Sequence, residues 1–285
     1  MKIEFDCLPC IFRQTLEASR MVTDDEVLIK EILDEYAKLV PEMDLAKKGP
    51  MLSGMGQRIV KEKTGSKDPY GEFKRKHMEL AQDIYPEVAE IIAESKEPLL
   101  DVLVIAAMGN AIDAGVSLDV DVAKQLKQAI EGGFVKDDFG LFKEKVNGAD
   151  EVLIIGDNAG EAIFDKLLIK ELQKSDLRIS YAYRAVPVLN DVTSQEIKEI
   201  GLDKLADRVL SSGVETPGTI LAHTTEEFKK VYHQADLIIS KGQGNFEGLS
   251  ETEEDIFFLL KAKCGLVADM LGVNKGEIGR ASCRE

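Results

Sequence analysis

The sequence contains no tryptophan, and only three histidines and four cysteines occur among its 285 residues. Four cysteines in a chain of this length are too few for a disulfide framework. A closed zinc site is not expected, because Cys7 and Cys10 form one CxxC pair and no second pair stands at zinc-ribbon spacing. These scarcities argue against a disulfide scaffold and against a structural zinc protein.

Long apolar runs are absent as well. The roughly 20 apolar residues of a membrane-spanning helix occur nowhere, and VLVIAAM at 102–108 is among the longest candidates. The N-terminal stretch MKIEFDCLPC lacks the apolar segment of a secretory signal peptide. We therefore expect a cytoplasmic protein.

Positive charge is scarce relative to negative charge, since 36 Lys and Arg stand against 52 Asp and Glu and the net charge is −16. Nucleic acids and anionic membranes are bound mainly through phosphate neutralisation by Lys and Arg. Neither is expected as a partner, and the sequence leaves the oligomeric state open. An acidic protein that handles a phosphorylated small molecule needs a metal ion or a few well-placed lysines.

Helical periodicity dominates the first half of the chain. Apolar residues recur at helical spacing in five stretches, at 6–22, 24–40, 72–95, 97–113 and 121–133. We predict a helical region over residues 1–148.

The second half alternates between strand-like and helical patterns. Strands are predicted at 151–156, 177–184, 208–212, 236–242 and 264–268, and helices at 161–174, 193–206, 224–234 and 251–262. This alternation is typical of parallel strands joined by right-handed crossovers. We predict an α/β protein with a helical N-terminal region packed on a Rossmann-like α/β/α sandwich with a mainly parallel sheet. The α/β core spans 149–276, and 277–285 is interpreted as a non-native tail.

Polar residues gather where the predicted strands end. GDNAGE (156–161), AVPVLNDVT (185–193), SSGVETPG (211–218) and SKGQGNFE (240–247) follow four successive strands, and Lys261 and Lys263 precede the fifth. In an open parallel sheet, ligands bind beyond the carboxyl ends of the strands. One edge of the sheet is therefore the expected functional site.

GDNAGE allows two interpretations. Asn158 with Glu161 three residues later fits a capping box, in which two side chains satisfy backbone N–H groups at a helix start. Asp157 is not needed for that box. Likewise, Thr193 with Glu196 fits a second capping box, which leaves Asp191 without a capping role.

Asp157 and Asp191 are 34 residues apart, about one βαβ unit, so they are expected on neighbouring strand ends. Two carboxylates at such a short distance repel each other unless a cation lies between them. Oxygen ligands from Asp and Asn suit Mg²⁺ or Mn²⁺. A metal site at this edge is the functional alternative to a pair of helix caps.

The stretch KGQGNFEG (241–248) is less specific. It matches neither the Walker A pattern nor GxGxxG. Glycines after a strand usually make a tight turn, but Lys241 and the glycines also suit an oxyanion.

Six stretches together resemble one known family: IIGDNAGE (154–161), VPVLNDVT (186–193), SKGQGNFE (240–247), KDPYGEFK (67–74), GNAID (109–113) and the N-terminal CxxC. Their combination, in the order in which they occur along the chain, looks like the DUF89 proteins, the ARMT1-like damage-control phosphatases, and the CxxC is typical of a prokaryotic subfamily. The resemblance extends to about Gly276. It implies a helical region on an α/β/α core and a divalent-metal-dependent phosphatase acting on a small phosphorylated metabolite.

Carried over residue by residue, the resemblance implies that Asp157, Asn158 and Asp191 are the metal-binding and catalytic residues. The implied cofactor is a divalent cation (Mn²⁺, Mg²⁺, Ni²⁺ or Co²⁺). The positions implied to face substrate phosphate are Glu161, Lys241, Asn245 and Lys263. Subfamilies with better-defined substrates carry an Arg-Thr-x-Lys motif, whereas this chain has LLKAKC (259–264) and keeps only Lys263.

Further residues are candidates for lining the site. Asn110 and Asp113 lie one helical turn apart in GNAID, so they could close over the site from the helical half or act as a buried cap. Arg184 and Asn190 follow the second strand and are candidates for the same lining.

The leading hypothesis is a metal-dependent phosphomonoesterase, with water attack preferred over attack by Asp157. One alternative is a redox or metal-relay protein acting through Cys7 and Cys10, which could equally be small buried apolar residues. The other is a non-catalytic nucleotide- or phosphate-binding protein, because such a fold does not determine function.

Overall fold

In the part of the chain that the structure describes, seven helices precede the first strand of the sheet. The structure, a computed structural model, describes residues 1–112, 122–135 and 138–282, without the side chains of 109–112, 122–125 and 279–282. Within these ranges the helices are α1 (Cys7–Val22), α2 (Glu26–Leu39), α3 (Gly49–Thr64), α4 (Gly71–Ala93), α5 (Pro98–Ile112), α6 (Val122–Gly132) and α7 (Phe139–Gly148).

Strands and helices alternate in the remainder of the chain. The strands are β1 (Glu151–Ile155), β2 (Arg178–Tyr183), β3 (Arg208–Ser211), β4 (Leu237–Lys241), β5 (Ile256–Lys261) and β6 (Ile278–Ser282). The helices are α8 (Glu161–Gln173), α9 (Ser194–Glu199), α10 (Glu226–Gln234), α11 (Gln243–Leu249) and α12 (Gly265–Leu271). Short 3-10 turns lie at Val40–Glu42, Leu202–Lys204 and Leu221–His223.

The six strands form one sheet in the order β3-β2-β1-β4-β5-β6. The first five are parallel, and β6 pairs antiparallel with β5. Because β1 lies between β2 and β4, the chain winds outward from β1 in both directions. The strand order therefore reverses between β1 and β4, which is where ligands bind in sheets of this kind.

Helices cover both faces of the sheet, as the nearly continuous apolar strands require. One core joins inward residues of α4 to α8 to one face, for example Phe142 against Phe257 with ring centroids 5.1 Å apart. A second core joins α10, α11 and α12 to the other face. Helices α1, α2 and α3 form a smaller third core around Tyr36. The predicted α/β/α sandwich with a helical N-terminal region is confirmed.

The third core contacts the sheet region through α3 and α11. The carboxylate of Glu247 on α11 approaches so closely that a Cβ on Gly49 would lie 2.5 Å from its Oε2 atom. The N-terminal amino group of Met1 donates to the backbone oxygen of Glu247 at 2.9 Å. The first helices are thus attached beside the carboxyl edge of the sheet.

Two predicted elements in the last part of the chain are wrong. The second half of the helix predicted at 251–262 is strand β5, and the strand predicted at 264–268 falls on the start of helix α12. The run IFFLLK is buried on both faces, and such a continuous apolar run shows no period that separates a strand from a helix. The CGLVA segment is a helix start, with Cys264 as its N-cap and Gly272 at φ +68 as its stop.

Other boundaries also differ. The helix predicted at 193–206 ends at Glu199, because Gly201 adopts φ +69 and a 3-10 turn follows. The patterns did not predict α3, α7 or α11. Residues 278–282, within the segment interpreted as a tail, pair with β5; their non-native origin stays a prediction.

None of the helices that the structure describes combines the length and apolar character needed to cross a bilayer.

Candidate functional site

The carboxyl ends of β1, β2, β4 and β5 meet at one edge of the sheet. Asp157 and Asn158 follow β1, Asp191 follows β2, Lys241 ends β4, and Lys263 follows β5. Asp157 and Asp191 are thus on neighbouring strand ends, as their spacing predicted. The corrected position of β5 brings Lys263 to this same edge.

The loops after β1 and β2 are joined through their backbones. Asn158 and Asp191 form an isolated antiparallel bridge, and the Val192 N–H donates to the Asp157 carbonyl at 2.7 Å. Leu189 has φ +45, a left-handed conformation that is costly for a branched residue. Strain of this kind persists only where its surroundings hold it. The geometry of the Asp191 loop is therefore set by its pairing with the loop after β1.

Asn158 and Glu161 do not form the predicted capping box, and that prediction is wrong. Helix α8 has Gly160 at its N-cap position, with no side-chain capping hydrogen bond. Instead, Nδ2 of Asn158 donates to Glu161 Oε1 at 2.7 Å and to Asp157 Oδ2 at 3.2 Å. Asn158 therefore bonds two carboxylates instead of a helix end.

The second capping box is confirmed. The Thr193 backbone N–H donates to Glu196 Oε2 at 2.8 Å, and the Thr193 hydroxyl accepts from the first turn of α9. Asp191 has no part in this cap. Its carboxylate instead accepts a hydrogen bond from Arg184.

Arg184 is buried among the polar side chains of the site. Its Nε donates to Asp191 Oδ2 at 2.6 Å, its Nη1 to the Thr219 hydroxyl at 2.9 Å, and its Nη2 to Asn245 Oδ1 at 2.9 Å. Nη2 also lies 3.8 Å from Asp157 Oδ1. Arg184 therefore holds Asp191 firmly and faces Asp157 at longer range.

One arginine does not fully balance the two aspartates. Burial raises the pKa of Asp191 to about 7; Arg184 opposes the rise, and the charge of Asp157 adds to it. Asp157 is also confined, because a Cβ placed on Gly242 would lie 1.9 Å from its Oδ2 atom. The arrangement concentrates negative charge between the ends of β1 and β2.

Lys241 lies beneath this pair and is fully buried. Its Nζ contacts Asp165 Oδ1 at 2.5 Å and Glu161 Oε2 at 3.2 Å. Burial alone would lower the pKa of Lys241, but the two carboxylates outweigh it and raise the pKa above its ordinary value. In this structure Lys241 and Glu161 are paired with each other inside the protein.

All four hydrogen-bonding positions of the Asn245 side chain are used within the protein. Oδ1 accepts from Arg184 and from the Thr219 backbone N–H at 2.8 Å, while Nδ2 donates to the backbone oxygens of Gly156 at 3.0 Å and Lys241 at 2.8 Å. Asn245 thereby connects the ends of β1 and β4 with the segment after β3. That it also faces phosphate stays a prediction.

Lys263 differs from these residues because its side chain is exposed. Its backbone N–H donates to Gln243 Oε1 at 2.8 Å, which ties the end of β5 to α11. Burial raises the pKa values of Asp191 and Glu247, and the positive charge of Lys263 opposes both increases. Lys263 is therefore a cation at the rim of the site, within electrostatic reach of Asp191.

Of the remaining candidates for lining the site, the structure describes the side chain of Asn190 but not those of Asn110 and Asp113. Asn190 is half-buried, and its backbone oxygen accepts from the Ala159 N–H at 2.9 Å, so it belongs to the paired loops. Asn110 lies in α5, but its side chain is outside the description, and Asp113 lies outside the described residues. Their closing over the site stays a prediction.

The KDPYGEFK stretch joins the helical half to the Asp191 loop. Nζ of the buried Lys74 contacts Asp68 Oδ2 at 2.7 Å and Glu196 Oε1 at 2.6 Å. Glu196 is the residue that caps α9 with Thr193, two positions after Asp191. Lys74 therefore supports the Asp191 loop from α4.

The buried charges at this edge fit a divalent cation. Among the residues that the structure describes, six charged side chains that are at most 6% exposed meet here: the carboxylates Asp157, Glu161, Asp165 and Asp191 and the cations Arg184 and Lys241. When all are ionised, four carboxylates and two cations leave two negative charges. Uncompensated buried charges are costly, and a hard divalent ion on oxygen donors would neutralise this excess.

The donor set also fits such an ion in its chemistry. Both Nδ2 bonds of Asn158 run to carboxylates, so its Oδ1 is the atom available to a cation. Two carboxylates and an amide oxygen suit Mg²⁺ or Mn²⁺ rather than zinc. Among the described residues, no three His, Cys, Asp or Glu side chains converge as a metal cluster, so a metal site at this edge would have to include the Asn158 amide.

Three contributing residues were missed by the sequence interpretation: Asp165, Tyr181 and Thr219. A signal existed for Asp165, which stands among apolar residues of α8, one turn after Glu161 and on the same face. A carboxylate on a buried helix face requires a partner. Tyr181 and Thr219 gave no such signal, because Tyr is common in strands and Thr in loops.

The CxxC pair lies at the start of α1, with Cys7 as its first residue. Burial raises the pKa of the Cys7 thiol above its ordinary value; the Glu4 backbone N–H opposes the rise, and Glu247 and Cys264 add to it. Reactive cysteines have lowered pKa values. The environment of Cys7 is therefore unlike that of a redox-active thiol.

Several known proteins are similar to this chain over nearly its whole length. The family model described as "Damage-control phosphatase ARMT1-like domain" matches residues 3–278. A protein of Archaeoglobus fulgidus named damage-control phosphatase is 33% identical over 98% of both chains. One of the same name from Pyrococcus horikoshii is 36% identical over 98% of this chain and 97% of its own. The crystal structure of a DUF89 family protein from Pyrococcus horikoshii covers 100% of both chains, with a TM-score of 0.91 and 32% identity.

Proposed function

Because the chain belongs to the family of damage-control phosphatases with an ARMT1-like domain, we propose that it is a divalent-metal-dependent phosphatase that hydrolyses small phosphorylated metabolites. The observation that carries this proposal is the buried excess of two negative charges where the strand order reverses. A protein that handles an anionic substrate there needs a cation in place.

The metal ligands in this proposal are Asp157, Asn158 through Oδ1, and Asp191. The cation is Mg²⁺ or Mn²⁺ on the chemistry of these donors, with Ni²⁺ and Co²⁺ as further candidates. When bound, it would supply positive charge to the phosphoryl oxygens. Arg184 keeps Asp191 in position through its 2.6 Å bond, and Asn158 keeps Asp157 in position through Nδ2.

Lys263 is our candidate for the direct contact with substrate phosphate. It is an exposed cation at the rim, within electrostatic reach of Asp191. An ammonium group at this place would share the negative charge that develops on the transferred phosphoryl group. The side chains of Glu161, Lys241 and Asn245 are bonded inside the protein, so we place them beneath the phosphate and not against it.

Water is our candidate for the nucleophile. Asp157 Oδ2 accepts from Asn158 at 3.2 Å, and Oδ1 faces Arg184 at 3.8 Å. A carboxylate that serves as a metal ligand, as proposed for Asp157, is a poor free nucleophile, because its lone pairs are directed at the cation and not at phosphorus. Direct hydrolysis without a covalent aspartyl intermediate follows from this argument.

The proposal is tested with purified protein that has been dialysed against a chelator and refilled with one metal at a time. We expect no hydrolysis of a panel of phosphate monoesters without metal and recovery with Mn²⁺ or Mg²⁺. Activity that is undiminished after thorough chelation would contradict the metal dependence. Binding of the esters without any turnover in the refilled protein would favour the non-catalytic binding function instead.

Lys263→Ala tests the phosphate contact. We expect kcat/KM to fall on the order of tenfold to hundredfold, because a lost charge-assisted contact costs about 1.5–3 kcal/mol. The control is Lys145→Ala, since Lys145 pairs with Asp255 just before β5, at the opposite edge of the sheet. An equal effect of both substitutions would remove Lys263 from the site.

A further inference from the structure

A continuous set of buried polar groups runs beneath the candidate metal position. The Tyr181 hydroxyl donates to Asp165 Oδ2 at 2.7 Å, and Asp165 Oδ1 contacts Lys241 Nζ at 2.5 Å. Lys241 Nζ also contacts Glu161 Oε2 at 3.2 Å, and Glu161 Oε1 accepts from Asn158 Nδ2 at 2.7 Å. The series thus begins in the middle of β2 and ends on a candidate metal ligand.

Each member of the series is oriented by the one before it. Lys241 offers only donors, and its two carboxylate partners lie one turn apart on α8, at 161 and 165. With one Glu161 oxygen bonded to Lys241, the other is directed to the Asn158 amide. The amide must present its NH₂ group to this carboxylate, because its oxygen would be repelled there. The orientation of Asn158 therefore follows from the placement of Glu161.

The Tyr181 hydroxyl packs closely against the backbone at the end of β1, where only a glycine leaves room for it. A Cβ on Gly156 would lie 2.5 Å from that hydroxyl oxygen. Gly156 directly precedes Asp157 and Asn158, so the ring lies under the ligand loop. Burial and Asp165 keep the Tyr181 pKa well above its ordinary value, which leaves the hydroxyl protonated as a donor.

We propose that Asp165 and Tyr181 are positioning residues, which act through Lys241 and Glu161 to fix the Asn158 amide with its oxygen toward the metal. This inference rests on the proposed function, because it assumes that Asn158 is a ligand. Groups that orient metal ligands from behind affect metal affinity without touching the metal. The two residues would thus control how well the preformed site holds its ion.

A purely structural role would give a different result. A hydroxyl or carboxylate that only fills the core changes stability equally with and without metal. A positioning residue changes the metal dissociation constant itself. Tyr181→Phe removes one hydroxyl and keeps the ring, while Asp165→Asn keeps the shape and removes the charge next to Lys241.

The matched control is Tyr232→Phe. Tyr232 is also fully buried, and its hydroxyl contacts Thr252 at 2.9 Å and Glu254 at 3.2 Å in the core on the other face of the sheet. The Tyr232→Phe substitution also removes a buried tyrosine hydroxyl, but at a position away from the loops that carry the candidate metal ligands. Any general effect of losing a buried tyrosine hydroxyl is therefore measured separately.

The experiment measures Mn²⁺ dissociation constants by calorimetry and by the Mn²⁺ electron paramagnetic resonance signal, in chelated and dialysed full-length protein. We expect Asp165→Asn to weaken Mn²⁺ binding about tenfold or more and Tyr181→Phe to weaken it several-fold. Tyr232→Phe should leave the constant at the wild-type value.

Wild-type Mn²⁺ affinity in both Tyr181→Phe and Asp165→Asn would overturn the inference while leaving the proposed function intact. If Asp165→Asn does not fold, the constant for Tyr181→Phe decides alone. A wild-type protein that binds none of Mn²⁺, Mg²⁺, Ni²⁺ and Co²⁺ would overturn the proposed function and, with it, this inference.

Discussion

The two buried cations of the site, Arg184 and Lys241, contact different carboxylates. Arg184 is bonded to Asp191 at the level of the candidate ligands, while Lys241 is bonded to Asp165 and Glu161 one level below. Two separated charges cannot neutralise four carboxylates. A divalent cation between Asp157 and Asp191 would complete the balance, so the two aspartates are the residues whose substitution should respond to metal.

Asp157→Asn and Asp191→Asn should each abolish most metal-induced stabilisation and most activity. Metal-free variants should melt at or slightly above the wild-type temperature, because each substitution removes a repelling charge. In the wild type, a ligand at 100 times its dissociation constant adds about 2.7 kcal/mol of stability. Melting with and without Mn²⁺ or Mg²⁺ measures the difference.

Asp25→Ala is the control for this comparison, since Asp25 is a true helix cap that accepts from the Val27 and Leu28 N–H groups. It should lose about 0.5–2 kcal/mol with or without metal and keep the full metal-dependent shift. If the Asp157 variant behaves like Asp25→Ala, Asp157 is a structural residue.

Gly242 sets the space for Asp157 from the β4 side. It has φ +78 and ψ 159, a region that is essentially restricted to glycine. Gly242→Ala should therefore cost about 1–3 kcal/mol in strain, and its Cβ would displace the Asp157 carboxylate, which lies 1.9 Å from that position. We expect lower stability in urea unfolding together with loss of the metal-induced shift.

Gly65→Ala separates strain from displacement. Gly65 also has a positive φ of +72, but no atom lies within 4 Å of the position of its Cβ. This variant should be less stable by about 1–2 kcal/mol and respond to metal as the wild type does. A Gly242 variant with an intact metal response would show that Asp157 tolerates displacement.

At the scale of elements, the sequence predicted strands β1 to β4 but not strand β5. The strands with polar residues at their carboxyl ends, β1 to β4, were predicted within a few residues, because turn residues bound each apolar run. Strand β5 was missed because IFFLLK has neither alternation nor a bounding turn signal. Metal-site candidates were found from the spacing of Asp157 and Asp191, whereas the partners Asp165 and Tyr181 depend on packing that no local pattern records.

Lys74 is the element-scale connection between α4 and the Asp191 loop. Lys74→Met should cost about 3–5 kcal/mol, because it leaves the buried Glu196 without its cation. Lys76→Met is the control on the same helix, since Lys76 forms only an exposed pair with Glu72 and should cost at most about 1 kcal/mol. Urea unfolding at neutral pH measures both, and similar losses would contradict a supporting role for Lys74.

Glu196 should make part of the free energy of unfolding depend on pH in the acidic range. Burial alone would raise its pKa, but hydrogen bonds from Lys74 and Thr193 outweigh it and lower the pKa below 4.5. Because the folded pKa is the lower one, this contribution is fully present above 4.5 and is lost as the pH falls through the folded value.

Glu196→Gln should therefore be less stable than the wild type at neutral pH and lose less further stability on acidification. Urea midpoints measured at several pH values between about 6 and about 3 give the two slopes. Parallel slopes would mean that Glu196 is not stabilised as an ion.

At the scale of the whole molecule, the helices before β1 and the strands and helices from β1 onward share the largest core of the described residues. Helices α4, α5 and α7 pack on the same sheet face as α8. The fold class was predictable, because alternation of strands and helices restricts the topology. That the first half is itself divided, with α1, α2 and α3 in a separate core, was not predictable, because amphipathic periodicity does not specify which surface a helix covers.

We propose that the two regions are one cooperative unit, and unfolding tests this. Since the sequence has no tryptophan, circular dichroism at helix wavelengths and tyrosine fluorescence are suitable probes. Helical signal comes mainly from residues before β1. In a variant with Tyr36, Tyr70 and Tyr85 replaced by Phe, the tyrosine signal comes only from Tyr181 and Tyr183 in β2 and Tyr232 in α10. We expect coincident transitions by both probes, with Mn²⁺ shifting them equally, because a ligand that binds only the folded state stabilises everything that unfolds with its site. A metal-dependent shift in the tyrosine signal of this variant alone would mean that the helices before β1 unfold independently of the sheet.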